Sequence, residues 1–470
     1  MSKDQAPFIP NSPDDAPVPP ATWRVFGTKA YFRLWLAQVI SSTGDWIGLI
    51  AILAIAARVS NNSGAAVSLV MLARVVPGFF LATIGGVIID RFDRRLVMVF
   101  ADVGRAALLI LLPFVNTLLA LVLISFALEI FTLLWGPAKD ASVPNLVNTD
   151  QLASANTLSL VASFGTFPFA AVIFSLLAAL AAWLGGFNTL HSLQVDQEAL
   201  ALFFDAGTFP LSAAIVFTLP IPRGRASAET KLQLSETVRD IKEGLAYIRH
   251  EPRVRGVIVG LGLGLIGGGA MIPLGPVFAQ QGIGGDAATF GVLMSALGFG
   301  AAAGVILLLF VQNKIPRETV FDFAVMGTGI FLMIAATLSA LFPAALAVAL
   351  LGACAGTSYV TGFTVLQETV QDEMRGRIFA TLYTVIRMCL LIALVISPLW
   401  ADFWDWIVND VAKVGIVTIG QVSYSFPGVR IALWGGGMIT LGAGLYARWT
   451  MTHADRVSAE DSDVAGDAAA

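Results

Sequence analysis

Four ionisable side chains lie inside long apolar runs, where a bilayer would make each of them expensive. Asp45 lies in "SSTGDWIG", Arg74 in "VMLARVVPG", Glu129 in "ALEIFTLLW" and Arg387 in "TVIRMCLL". An isolated charge at membrane depth costs at least a few kcal/mol, so such a residue is paired, hydrated or functional. Two kinds of chemistry fit. A static ion pair locks helices together, whereas an acid of variable proton occupancy couples a proton to another event. Counted along helices, Asp45 and Arg74 fall at nearly one depth. Glu129 and Arg387 share a second depth about 6 Å away at the helical rise of 1.5 Å per residue. These levels predict an Asp45–Arg74 pair and make Glu129 the proton-carrying acid, with Arg387 approaching it to expel the proton. Phe131 and Trp135 beside Glu129 would suit an amphipathic cation, although aromatic residues are common in membrane spans. Gln38, Tyr359 and Gln367 are candidate polar contacts in a cavity, each weighed against plain helix packing. Asp102 and Arg105, three residues apart on one helix face, read most simply as a structural pair.

The elements holding these residues follow from composition. The chain has 470 residues, 57% hydrophobic and only 13% charged, against about a quarter charged in soluble proteins. Its net charge of -4 gives no reason to expect nucleic acid as a partner. Apolar runs fall at 31–58, 65–89, 96–115, 118–139, 154–183 and 200–221, and again at 254–281, 288–311, 318–341, 345–368, 377–400 and 430–450. Each is about the length of helix that spans a bilayer core. The expected fold is therefore an all-α integral membrane protein, with twelve transmembrane helices in two six-helix bundles.

Charge tests the count independently. With the N-terminus inside, of the 28 Lys and Arg only Arg58, Lys413 and Arg430 fall outside, while Arg74 and Arg387 lie within spans. Basic residues favour the cytoplasmic side, and one missed helix would invert every later loop. The division predicted is a cytoplasmic tail at 1–30, bundles at 31–221 and 254–450, and a disordered cytoplasmic tail at 451–470. A cytoplasmic linker at 222–253 carries an amphipathic helix in "SETVRDIKEGLAYIRH", with Val238, Ile241, Leu245 and Ile248 on one face. The 401–429 segment is expected outside, with Trp404, Trp406 and Tyr424 as interface anchors. The protein is expected in the cell membrane, with both termini on the cytoplasmic side.

Between the second and third runs stands "GGVIIDRFDRRL", containing Gly86, Asp90, Arg91, Arg94 and Arg95. This spacing, at the turn between spans two and three, resembles the inter-helix signature of the major facilitator superfamily, with Asp93 where a Gly is usual. A positive-inside cluster alone would not require Asp90 at the helix end. "WGPAKDASVPNLVNTDQLASANTL", "FDAGTFPLSAAIVFTLP" and "LQETVQDEMRGRIFA" resemble the branch containing enterobactin exporters and macrolide efflux proteins. The resemblance implies two rocking bundles and a charge-relay latch formed by the 86–95 residues. The second-half counterpart, "VQNKIPRE", keeps Lys314 and Arg317 without the acid, which implies an asymmetric latch. An antiporter signature in the fifth span is partial: Gly165 and Pro168 remain, while Ala170 and Ala171 replace glycines.

The expected activity is proton-coupled export of small hydrophobic or amphipathic molecules, drug-like or siderophore-like, by alternating access. The alternatives are a lysophospholipid-type carrier and a non-transporting receptor or scaffold with the same helices. Protons, a small-molecule substrate and the bilayer are the expected partners, and the protein is expected to be a monomer. No cofactor, metal site or enzymatic constellation is expected. "GLGLIG", residues 262–267, matches G-x-G-x-x-G literally, but it lies within an apolar span with no preceding strand.

Overall fold

The computed structural model describes residues 26–148, 151–185, 198–221, 246–311, 314–370, 372–411, 416–419, 422–425 and 427–467, with the side chains of 79–91, 153, 185, 311, 372–373, 375–377, 380, 410–411, 416–419, 422–425 and 453–467 outside the description. The first half contains α1 (Lys29–Val59), α2 (Gly64–Arg91), α3 (Arg94–Leu111), α4 (Leu118–Asp140), α5 (Leu152–Phe164), α6 (Phe167–Gly185) and α7 (Ala199–Phe217). The second half contains α8 (Pro252–Gly268), α9 (Met271–Val277), α10 (Ala287–Val311), α11 (Arg317–Thr337), α12 (Leu341–Thr369), α13 (Asp372–Trp406) and α14 (Gly428–Asp467).

Eleven helical stretches among the described residues are long and apolar enough to cross a membrane. The 28-residue α2 supplies the twelfth span. Two spans are interrupted. α5 and α6 form the fifth, broken at Gly165–Thr166, and α8, α9 and the wide turn Phe278–Gly282 form the seventh. Side chains start several helices by taking up unsatisfied amide hydrogens. Thr28 accepts from the Tyr31 amide, Asp93 from the Arg95 amide and Thr117 from the Ala120 amide.

Within the first half, α1 and α3 pack on α7, and α2 and α3 pack on α4. Within the second, α10 and α11 pack on α12, and α8 and α11 pack on α14. The halves meet along two seams, α2 against α13 and α6 against α10. The second span of each half thus faces the fifth span of the other, the reciprocal pattern expected of duplicated halves. Ser175 donates to the Ala288 carbonyl across the α6–α10 seam, at 2.9 Å.

At one end of the molecule Asp402 closes the α2–α13 seam, with Ser68 donating to the Val395 carbonyl (3.1 Å) one turn along. The Asp402 carboxylate accepts hydrogen bonds from the Gly64 amide (2.7 Å), the Ala65 amide (2.8 Å) and the Ser63 hydroxyl (3.1 Å). Asp402 therefore caps a helix belonging to the opposite half. The approach is close enough that a Cβ on Gly64 would lie 2.3 Å from the Pro398 carbonyl oxygen.

Along α1, Tyr31, Trp35, Gln38 and Trp46 donate to the carbonyls of Ala155, Leu158, Ser159 and Ser163 on α5, at 2.5, 2.9, 2.9 and 2.8 Å. They form one continuous row ending at the break in the fifth span.

Three features depart from expectation. The 401–429 segment is not all helical or loop: Ile416–Ile419 pairs antiparallel with Val422–Ser425 in a short hairpin. The four consecutive β-branched residues Ile416–Ile419 favour this. The expected disordered tail at 451–470 is helical through Asp467, continuing α14. An already nucleated helix extends readily over a segment with several Ala and no Pro. Finally, two of the three basic residues outside the charge pattern are tied into the protein. Arg430, 1% exposed, donates to the carbonyls of Ala336, Thr337 and Gly282 and to the Ser339 hydroxyl. Arg58 pairs with buried Glu198 at 3.4 Å. The tail at 1–25 and the linker at 222–245 lie outside the described residues.

Candidate functional site

Five spans of the first half bring six charged side chains into one neighbourhood. α1 carries Asp45, α2 Arg74, α3 Asp102 and Arg105, α4 Glu129, and α7 Asp205. At its centre is Arg105, 1% exposed. Its guanidinium donates to both Asp45 carboxylate oxygens (3.1 and 3.0 Å), to Asp102 (2.5 Å) and to the Ser41 hydroxyl (3.4 Å). The Phe209 ring lies 4.2 Å from the guanidinium carbon and the Trp135 ring 5.6 Å. Aromatic faces stabilise a desolvated cation by about 0.5–2 kcal/mol.

Asp205 has a different environment. It is 1% exposed, and its polar neighbour is the Thr208 hydroxyl, 3.4 Å from Oδ1. No cation forms an ion pair with it among the described residues. Its carboxyl rests against α1 where that helix has no side chains: Cβ atoms on Gly44 and Gly48 would lie 2.2 and 2.3 Å from Oδ1 and Oδ2. The two glycines, one turn apart, make the recess this acid occupies.

Asp45, Arg74, Arg105, Thr132, Asp205 and Phe209 line a small cleft with a cavity volume of about 10 Å³, room for about one water molecule. Drug-sized ligands occupy pockets of about 300–1,000 Å³. The cleft suits proton exchange and side-chain rearrangement better than it suits a whole drug-like molecule. Glu129 faces this group from α4, partly buried, and Arg74 is the cation acting on it most strongly.

The structure re-pairs Asp45. Asp45 bonds Arg105 rather than Arg74, while Glu129 lies on α4 of the first half and Arg387 on α13 of the second. Arg387 is exposed on α13 in the other half. Depth along a helix does not specify which way a side chain points or which helix adjoins it, so level alone did not select the partner of Asp45. Arg105 also exceeds the local role its i,i+3 spacing suggested, because its long side chain reaches α1. Gln38 does not face a cavity. It is 2% exposed and bonded to Ser159 and Ser163, and Lys139 donates to the same Ser159 hydroxyl at 2.5 Å. Tyr359 and Gln367 are exposed on α12, apart from the cluster, with the Tyr359 ring 4.6 Å from that of Phe363.

Of the expected latch residues, Gly86, Asp90 and Arg91 are in the last turns of α2, with side chains outside the description. Arg94 donates to the Ala141 carbonyl at 2.7 Å, closing the exposed end of α4. Arg95 lies over the Phe217 ring at 5.5 Å. The second half is not devoid of an acid, because Arg317 pairs with Glu368 at the end of α12. Two acids were missed in the sequence. Asp205 was noticed only within a longer motif, and buried Asp322 on α11 was passed over near its span end. An Asp within an apolar run was the available signal for both.

A twelve-span chain of two six-helix halves, meeting along reciprocal seams around intramembrane charges, has the fold of the major facilitator transporters. The chain belongs to the transmembrane secretion effector family within that superfamily, whose profile matches residues 20–393. The MFS-type transporter YfiS of Bacillus subtilis is 29% identical over 224 residues, so the chain spans only about half of that relative: 48% of this chain and 50% of YfiS align. Macrolide efflux protein A of Streptococcus pyogenes is 22% identical over 386 residues, covering 79% of this chain and 89% of that one. Among solved structures, a bacterial homologue of the human lysosomal transporter Spinster, inward-facing and unoccupied, superposes with a TM-score of 0.64 at 14% identity, covering 90% of this chain and 96% of that one. The D-xylose–proton symporter superposes with a TM-score of 0.61 at 14% identity, covering 88% and 97%. These likenesses establish the fold.

Proposed function

We propose that the protein uses the proton gradient to export small hydrophobic or amphipathic molecules by alternating access. The observation that carries this reading is the imbalance of the buried cluster. Among the described side chains, Asp45, Asp102, Glu129 and Asp205 face the two cations Arg74 and Arg105, so full ionisation leaves two uncompensated negative charges. Membrane interiors do not tolerate this cheaply, and protons supply the balance when no cationic substrate is present. Glu129 and Asp45 remain the residues through which substrate and proton would communicate. Export is supported by the efflux activity named for the streptococcal relative. The same balance suits a substrate with a basic group, held in the space between the halves because the cleft itself is small.

The Arg94 end, where most Lys and Arg gather, is cytoplasmic on this reading, as are both termini and the 222–253 linker. The protein then closes outward through Asp402 and opens inward. The halves at 31–221 and 254–450 rock as units in the cytoplasmic membrane, and a monomer suffices.

Reconstituted vesicles with an imposed pH gradient test the proposal, using a panel of a lipophilic cation, a macrolide and a lysophospholipid. Wild-type protein should accumulate at least one compound against its gradient, and collapse of the pH gradient should abolish this. Glu129→Gln should equilibrate the compound without concentrating it. Accumulation that is indifferent to the pH gradient would refute proton coupling, and accumulation of lysophospholipid alone would favour the lipid carrier.

A further inference from the structure

Asp205 enters neither the sequence-level pairing nor the coupling route through Glu129, yet it is the most enclosed acid of the cluster without an ion pair. α1 presents Gly44 and Gly48 to it at a separation that accepts a carboxyl and nothing larger. The ionisable groups facing this region, among the described side chains, come from four other helices. Asp45 projects from α1, Arg74 from α2, Asp102 and Arg105 from α3, and Glu129 from α4. α6 contributes no ionisable residue. Thr208 is the hydroxyl neighbour on α7 itself.

Arg105 is the cation able to serve Asp205. Both line the same cleft, and the guanidinium already lies over Phe209, one turn beyond Asp205 on α7. At present Arg105 is committed to Asp45 and Asp102. The two pairs differ in access: Asp102 is fully enclosed, whereas the Asp45 side chain is 31% exposed. Asp45 is thus the member that a competitor can reach.

We propose that Asp205 is a second proton-binding acid of the transport cycle, and that it shares Arg105 with Asp45 in alternation. This deepens the reading of the protein as a proton-coupled carrier and rests on it. While Arg105 is bound to Asp45, Asp205 stays neutral in its glycine recess. When a cationic group of the substrate, or a proton, occupies Asp45, Arg105 is released toward α7. The Asp205 O–H bond then breaks, its electron pair stays on the carboxylate beside the guanidinium, and the proton passes to water in the cleft. No oxidant or further reactant is involved. One cation arriving at Asp45 sends one proton out of Asp205, which is the exchange an antiporter requires.

The test reads protonation directly and needs no substrate. Full-length protein carrying ¹³C-carboxyl aspartate is placed in lipid at neutral pH, and its infrared spectrum is searched for the C=O band of a protonated aspartic acid. Wild type should show such a band, and Asp205→Asn should lose it. Asp45→Asn frees Arg105 without touching α7, and the same band should diminish or vanish in that variant too. A merely structural Asp205 would not respond to Asp45. Absence of any protonated-aspartate band in wild type overturns the proposal even if no variant folds. Persistence of the band in Asp205→Asn, or its indifference to Asp45→Asn in folded protein, overturns it as well. Vesicle transport separates the two readings: a wild type that never concentrates a compound defeats the carrier proposal, whereas the infrared result bears on Asp205 alone.

Discussion

Replacing Asp402 with Ala removes one carboxylate and leaves three donors on the opposite half without a partner. A hydrogen bond to a charged group contributes about 1.5–3 kcal/mol, so three in series would nominally exceed the energy separating transporter states. The measured cost of replacing a helix cap by Ala is smaller, about 0.5–2 kcal/mol, because water takes over the freed amides. Asp402 is only half-buried, so the lower figure applies. A loss of 1–2 kcal/mol changes an equilibrium by about 5- to 30-fold. Because the cap exists only while the halves touch at this end, nearly all of that loss falls on the closed state. Asp402→Ala should therefore raise the fraction open at this end by roughly that factor, and Asp402→Asn by less. Pulsed electron-spin distances between labels at Asn61 and Asn409, with Cys354 and Cys389 changed to Ser, would measure it. A folded Asp402→Ala protein whose distance distribution matches wild type would refute the reasoning, since the three bonds would then contribute equally to both states.

Two further outcomes are expected. Gly48→Ala places a Cβ 2.3 Å from the Asp205 carboxyl and should destabilise the protein by about 1–3 kcal/mol, the usual cost of overpacking; a thermal melt in detergent unchanged from wild type would show that the recess yields freely. On sidedness, a Cys-free protein carrying Gly415→Cys should be labelled by an impermeant reagent from outside the cell while Thr230→Cys is not, and the reverse pattern would invert the topology.

The span count was legible because apolar length and basic-residue alternation both report on the bilayer, which acts on every span alike. The location of the charged cluster was partly legible for the same reason: Asp45 and Arg74 do line one cleft. What a linear reading lacked was rotation about each helix axis. Arg105 belongs to Asp45 because α1 and α3 both turn these faces toward α7, which no count along a single helix discloses. Asp205 was hidden for a related reason, since the recess that explains it consists of missing side chains on another helix. The hairpin at 416–425 and the helical extension to Asp467 were obscured because segments beyond the bilayer are governed by local propensity, which is weak and easily outweighed.

The row of donors from α1 to α5 has a mechanical meaning. Four rungs at fixed heights make sliding between these helices an all-or-none event, since a shift of one residue would misalign every rung together. Bonds of this kind within membranes contribute only about 0.6 kcal/mol each, but acting in concert they make α1 and α5 a single stiff strut. The row stops at Ser163, immediately before the break at Gly165–Thr166. Beyond the break, α6 is fastened to the other half through α10. The fifth span is therefore a strut and a lever joined by a compliant link, and strain from the moving halves collects at two uncharged residues.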